Sequence, residues 1–171
     1  PADKLPEVFR IQQPEKATGG YIFTGENGYV AMEAEHYFSI QNAADAHWTV
    51  IPHIGRTLSG MALMPYTQPT DGASISYKMK LPKETKTVHI VVKSTLAFHD
   101  SKGHKYNIGF EGGKTETVNF NHNLNEAPKN VYSVFYPTVA RRIVEKKVKL
   151  ELPRTSDGLQ TLIFRPLDPG I

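Results

Sequence analysis

Hydrophobic and polar residues alternate with a period of two along several stretches of the chain. In residues 73–81 every second residue is hydrophobic, and the residues between them are serine or lysine. The same period returns near the end of the chain, where Val148, Leu150 and Leu152 alternate with lysine and glutamate. Because neighbouring side chains of a strand point to opposite faces, both stretches predict strands with one buried and one solvated face.

Other strands are predicted from short runs rich in β-branched and aromatic residues. Residues 87–98 form the longest run, and its branched side chains predict a central strand of a sheet. Residues 105–110 and 115–120 flank Gly112 and Gly113, a pattern typical of a β-hairpin. Further strands are expected at 29–37, 48–51, 61–64, 131–135 and 159–164, and a short helix at 138–145.

Many short strands, frequent turn signals and at most one helix predict an all-β fold. The architecture that fits is an antiparallel β-sandwich, jelly-roll-like in character. Residues 1–20 contain three prolines and end in a Gly-Gly pair, so they predict a linker or extended arm. The sandwich would occupy residues 21–171, and a last strand could be missing beyond Ile171.

Composition removes several classes of protein. The chain has 171 residues, of which 39% are hydrophobic and 22% charged, as in a single globular domain. It has no cysteine, which excludes disulfides, thiolate metal sites and cysteine nucleophiles. A net charge of +3 without a basic stripe disfavours a nucleic-acid partner. No hydrophobic run approaches the roughly 20 residues that cross a bilayer.

Two glutamates are the main candidates for a metal site. If residues 29–37 form a strand, Glu33 and Glu35 point the same way, with side chains about 7 Å apart. Such carboxylates repel each other unless a cation lies between them, and calcium takes several oxygen ligands. A Lys or Arg partner, or exposure to water, is the alternative. Because they lie side by side, they cannot readily flank a glycosidic bond as a catalytic pair.

Aromatic residues near the predicted strand 48–51 are candidates for sugar contact. Trp48, Tyr37 and Tyr66 could form a platform on which the C–H faces of sugar rings stack. For Trp48 the alternative is a core position at one end of the sandwich, which is the more common place for such a residue. No motif of a nucleophilic hydrolase, phosphate-binding loop, zinc hydrolase or dinucleotide fold is present.

Several segments resemble, in order and spacing, the C-terminal domain of glycoside hydrolase family 115. They are GYVAMEAEHY at 28–37, WTVIP at 48–52, IGRTLSG at 54–60, LMP at 63–65, LQTLIF at 159–164 and LDPGI at 167–171. The resemblance covers roughly residues 28–171 and weakens between 85 and 135. It implies a β-sandwich similar to carbohydrate-binding modules, which is not catalytic by itself and follows upstream catalytic domains.

The family resemblance implies part of a xylan α-1,2-glucuronidase. The domain would support degradation of xylan or glucuronoxylan by scaffolding, by shaping the active site or by forming a homodimer, in a periplasmic or secreted bacterial enzyme. The alternative is an autonomous carbohydrate-binding module for xylan or uronic-acid-containing glycans. In either case Arg56 could bind a uronate carboxylate through a charge-assisted hydrogen bond, or it could cap a turn.

The opening segment is also similar to the first strand of family 6 and family 35 carbohydrate-binding modules. In those modules paired glutamates help to hold a structural calcium, together with an aspartate near the last strand. The resemblance thus implies calcium at Glu33 and Glu35, with Asp168 as the aspartate that could complete the site. No other cofactor is expected.

Overall fold

The computed structural model describes residues 15–25, 28–54, 58–95 and 104–171. Within these residues the chain forms short strands, a π-helical turn and one short α-helix. The strands are β1 (Glu15–Ala17), β2 (Gly20–Thr24), β3 (Ser39–Gln41), β4 (His47–Ile51), β5 (Gly60–Met64), β6 (Ser74–Lys80), β7 (Thr87–Thr95), β8 (Lys105–Phe110), β9 (Thr115–Asn119), β10 (Ile143–Glu151) and β11 (Leu159–Pro166). The π-helical turn is Val131–Phe135, and the α-helix α1 (Tyr136–Arg141) follows it directly.

The largest sheet has seven strands in the order β1-β2-β6-β11-β8-β9, with β3 also bonded to β6. Strands β3 and β2 pair with successive parts of one edge of β6, and β11 pairs with the other edge. The pairing of β2 with β6 is parallel, and the other described pairings in this sheet are antiparallel. Strand β11 therefore lies in the middle of the sheet although it comes last in chain order.

Two ribbons of two strands each form the second layer. Ribbon β7–β10 contributes Leu150 to a buried hydrophobic cluster that includes Met79 of β6. Ribbon β4–β5 contributes Trp48 to another cluster, which includes Ile75 of β6. Because Ile75 and Met79 lie on the same face of β6, both ribbons cover one face of the large sheet. This packing confirms the expected all-β sandwich.

The strands with a strict period of two are confirmed. Strand β6 buries Ile75 and Met79, while Lys80 is exposed. Strand β10 buries Val144 and Leu150, with exposed charged residues between them. The hairpin β8–β9 is also confirmed by its register and by the backbone of its turn, where Gly112 has a positive φ.

Two predicted strands are wrong, and one further strand and the predicted helix are placed differently from the prediction. Residues 87–95 do not form a central strand, because among the described residues β7 pairs only with β10 and leaves Val91 44% exposed. Residues 29–37 do not form a strand: the amide of His36 donates to the carbonyl of Glu33 at 3.0 Å, which closes a turn. Residues 131–135 are π-helical, and the predicted helix at 138–145 begins earlier and ends at Arg141.

The first and last described segments of the chain are both hydrogen-bonded to the sandwich through their backbones. Part of the expected arm of residues 1–20 is ordered, since β1 forms a hairpin with β2, while residues 1–14 lie outside the described part. Near the other end, the carbonyl of Ile171 accepts a hydrogen bond from the amide of Leu63 at 3.0 Å. In the described part of the chain, no helix is long and apolar enough to cross a membrane.

Candidate functional site

Trp48 lies in the core of the sandwich. Its side chain is 8% exposed, and its indole N–H donates to the carbonyl of Gln41 at 3.1 Å. The ring packs edge-on against Phe164, with 6.4 Å between the ring centroids. The backbone amide of Trp48 donates to the Asn42 side chain at 2.9 Å, which fixes the start of β4. Trp48 thus has the core position that the sequence allowed as the alternative, and it presents no open ring face to a sugar.

The other residues predicted to contact sugar do not form one platform with Trp48. Tyr37 is half-buried and packs against the same cluster as Trp48. Tyr66 is 64% exposed, in the turn that follows β5. Arg56 lies outside the described residues. Tyr66 is therefore the one described member of the predicted set whose ring is largely open to solvent.

The residues predicted to hold calcium lie on a turn and on a terminal segment. Glu33 and Glu35 belong to the turn closed by His36, so the strand spacing assumed for their carboxylates does not apply. A carboxylate oxygen of Glu35 lies 3.9 Å from Nε2 of His36. Asp168 accepts a hydrogen bond from the amide of Lys105 at 2.7 Å. The described residues contain no group of three or more acidic or histidine side chains placed to hold a metal.

Calcium binding stays a prediction that thermal unfolding can test. A ligand that binds only the folded state at 100 times its Kd stabilises it by about 2.7 kcal/mol. For a domain of this size that corresponds to a rise in Tm of roughly 5–10 °C. If Glu33 and Glu35 hold calcium, adding the ion raises Tm by this amount and Glu33→Gln abolishes the rise. A Tm that stays unchanged on chelation and on readdition of calcium would show that Glu33 and Glu35 hold no structural calcium.

A cleft at one end of the sandwich was not foreseen from the sequence. This end cleft has a volume of about 720 Å³ and lies between residues 81–87 and residues 151–158. The two loops are tied together by backbone hydrogen bonds from Leu81 to Gly158 and from Leu152 to Lys86, each 2.9 Å long. These bonds hold the two walls of the end cleft against each other.

The polar groups around the end cleft carry both signs of charge. Lys83, Lys86 and Arg154 supply cations, and Glu84 and Glu151 supply carboxylates. The buried amide of Gln160 donates to the carbonyl of Pro153 and to the Thr155 hydroxyl, which holds the 153–155 wall in place. Such a site can bind hydroxyl groups and a carboxylate, but the described lining offers no aromatic ring for stacking.

A second exposed feature is the aromatic segment, defined as Val131–Arg141. Tyr132 is 78% exposed and Tyr136 is 51% exposed, and their ring centroids lie 5.6 Å apart. The spacing of four residues in the sequence is the signal for this pair, because it brings two side chains together on a helix but not on a strand. Neither the π-helical turn nor α1 buries a residue completely.

Two tyrosine hydroxyls are buried between the layers. The hydroxyl of Tyr77 donates to the carbonyl of Ala34 at 2.9 Å, and burial raises its pKa. Burial also raises the pKa of Tyr106 to about 12. The Tyr106 hydroxyl has no hydrogen-bond partner among the described residues, while its ring stacks on Phe164. Both groups therefore resist ionisation in the folded state.

These two tyrosines predict a loss of stability in alkali. The unfolded chain ionises its tyrosines near pH 10, so their contribution is complete below that pH and is lost as the pH rises further. Each tyrosine accounts for up to about 1.4 kcal/mol per pH unit of this loss. Tyr106→Phe should reduce the slope while changing stability little at pH 8, because no bond to the hydroxyl is lost.

The matched variant is Tyr77→Phe, which leaves the carbonyl of Ala34 without its donor. It should cost about 1 kcal/mol at pH 8 and also reduce the alkaline slope. Urea unfolding at pH 8 and at pH 11 measures both effects. Equal losses from the two variants at pH 8 would contradict the assignment of the two hydroxyls.

Comparison with known proteins relates the chain to a family of enzymes. A family model described as the glycosyl hydrolase family 115 C-terminal domain matches residues 22–171. Among solved structures the chain is similar to BtGH115A, described as a family GH115 4-O-methyl-alpha-glucuronidase with specificity for decorated arabinogalactans. The TM-score is 0.51 at 18% identity, over 78% of this chain and 16% of that chain. Among curated proteins, none matches the chain.

Proposed function

The chain belongs to the glycosyl hydrolase family 115 C-terminal domain family, and from this we propose that it is a non-catalytic accessory domain of a xylan α-1,2-glucuronidase. The observation that carries the proposal is the extent of the family match. Residues 22–171 run from within β2 to the end of the chain, so they include both layers of the sandwich. The match therefore concerns nearly the whole folded unit, without β1 and the first residues of β2, rather than one motif.

The proposed glycan is glucuronoxylan, and the proposed partners are the catalytic domains upstream in the same polypeptide. The solved relative is described as acting with specificity for decorated arabinogalactans, so the polymer is the part of the proposal that most needs measurement. A periplasmic or secreted location and a homodimer belong to the same proposal. The domain would act as a rigid scaffold that shapes the active site or supports the dimer.

Release of 4-O-methylglucuronic acid tests the proposal. The full-length polypeptide and the 171-residue chain are each incubated with glucuronoxylan and with a decorated arabinogalactan, and the released acid is quantified. We expect release by the full-length polypeptide and none by the 171-residue chain. Release by the 171-residue chain would show that it is itself catalytic, and activity only on arabinogalactan would replace xylan as the substrate.

The end cleft favours a second function, that of an autonomous module that binds uronic-acid-containing glycans. Arg154 and Lys86 could pair with a uronate carboxylate there, since an arginine can bind a carboxylate through two parallel bonds. Calorimetric titration with aldouronic acids separates this function from a purely structural role. Millimolar binding that Arg154→Ala abolishes and Lys114→Ala, in the β8–β9 turn, leaves intact would establish the module.

A further inference from the structure

The aromatic segment exposes hydrophobic surface that the domain itself does not use. Tyr132, Tyr136 and Val139 are each at least 40% exposed, and all lie between residues 131 and 141. Single exposed hydrophobic residues are ordinary, but a group of them on one short segment marks a contact surface. Tyrosine is also enriched in protein interfaces, because its ring supplies area and its hydroxyl a hydrogen bond.

The base of the aromatic segment is held rigidly. Asn130 is buried, and its side-chain amide donates to the Asn125 side chain at 2.9 Å. Its carbonyl accepts hydrogen bonds from the amides of Val134 and Phe135, which winds the chain into the π-helical turn. Because the backbone under the tyrosines is already ordered, a partner would not have to supply the free energy of ordering it.

The two tyrosine rings form a knob rather than a flat platform. Tyr132 and Tyr136 meet at an interplanar angle of 72°, so one ring presents its edge where the other presents its face. The ring of Phe135 is tilted by 52° against that of Tyr136, with 5.8 Å between the ring centroids. Sugar rings stack on open, flat aromatic faces, whereas a knob of crossed rings fills an apolar socket in a protein.

The area of the knob is too small for a stable complex between separate molecules. Two tyrosines and a valine bury roughly 500 Å² at most, against about 800 Å² per partner in a stable protein–protein interface. A covalent tether removes this limit, because it raises the effective concentration of the partner to about the millimolar range. In the solved family 115 enzyme, the region similar to this chain is part of a much longer polypeptide, since this chain covers 16% of it.

We propose that the aromatic segment docks this domain onto the remainder of its own polypeptide, with Tyr132 and Tyr136 filling an apolar socket there. The first turns of the π-helical segment and of α1 contain no acidic residue, and Arg141 and Arg142 follow the knob. Charge complementarity therefore calls for acidic groups at the rim of the socket. This docking rests on the proposed membership of a longer enzyme, but not on the identity of its glycan.

Hydroxyl-radical footprinting of the full-length enzyme tests the docking. Tyr29, which is 62% exposed, is the internal reference. The oxidation rate of Tyr132 is divided by that of Tyr29 and compared with the ratio of their exposed fractions. If 90% of molecules are docked, the measured ratio is about tenfold lower than the ratio of exposures. The double variant Tyr132→Ser with Tyr136→Ser should speed tryptic cleavage after Arg141 by about the same factor. Tyr29→Ser should leave that cleavage unchanged.

Other binding partners of the knob would give different results in the same experiment. Full oxidation of Tyr132 in the full-length enzyme overturns the docking, and glucuronic acid release by that enzyme then shows that the proposed function stands without it. Protection that appears only when polysaccharide is added assigns the knob to a glycan instead. Protection that grows with enzyme concentration assigns it to a second copy. Protection independent of both supports docking within one polypeptide.

Discussion

Gly158→Ala is expected to lower the free energy of unfolding by about 3 kcal/mol. Gly158 has a φ of +77°, where a side chain is disfavoured. A Cβ atom would also lie 2.5 Å from the carbonyl oxygen of Leu81. That oxygen cannot easily move away, because the amide of Leu81 donates to the carbonyl of Gly158 at 2.9 Å. The substitution therefore strains the backbone and forces apart the two loops that wall the end cleft.

Gly112→Ala is the matched control for this prediction. Gly112 has a nearly equal φ of +74°, but a Cβ atom there would meet nothing within 4 Å. Its cost should be about 1 kcal/mol, which is that of the left-handed backbone itself. Urea unfolding of both variants measures the difference. Equal costs would show that the loop containing Gly158 relaxes, and that the close approach to Leu81 does not constrain the end cleft.

Leu162→Ala should cost about 3 kcal/mol, in the range measured for buried leucines. Leu162 is 4% exposed at the middle of β11, opposite Tyr77 of β6 and Phe110 of β8. Removing its side chain leaves a cavity between the large sheet and ribbon β7–β10. At this position β11 is hydrogen-bonded to β6 on one side and to β8 on the other, so its backbone cannot easily move in to fill the space.

Leu167→Ala provides the comparison, since the side chain of Leu167 is 43% exposed just after the same strand. It should cost less than about 1 kcal/mol, because much of its surface stays in water in the folded state and its removal leaves no enclosed cavity. Thermal unfolding followed by circular dichroism distinguishes the two. A Leu162→Ala variant with the Tm of Leu167→Ala would contradict the central position of β11 in the core.

The sandwich could be predicted wherever the local pattern and the packing agree. In β6 and β10 one face of the strand meets the other layer and the opposite face meets water. Hydrophobic residues therefore alternate with polar or charged residues, and this alternation is visible in the sequence. The hairpin β8–β9 was predictable because a left-handed backbone at Gly112 favours glycine. The family resemblance, confirmed over residues 22–171, added what no strand pattern could, namely the family to which the domain belongs.

The wrong elements are those decided by contacts that the hydrophobic pattern does not record. Val131 and Val134 favour a strand by propensity. The following turn is nevertheless helical, because the carbonyl of buried Asn130 accepts hydrogen bonds from its amides. The face of β4 that carries Trp48 is chosen by how ribbon β4–β5 covers the large sheet, which no local pattern encodes. The end cleft arises where two loops far apart in the chain meet, so only the fold reveals it.

The central position of β11 has a consequence for how the protein is made. During synthesis the ribosome releases β6 and β8 before β11, so the nascent chain holds the two halves of the large sheet without the strand that joins them. Until residues 159–166 emerge, one edge of β6 and one edge of β8 have no partner strand to bond. Such edges invite pairing with other chains. The domain is therefore expected to depend on chaperones until β11 has emerged from the ribosome.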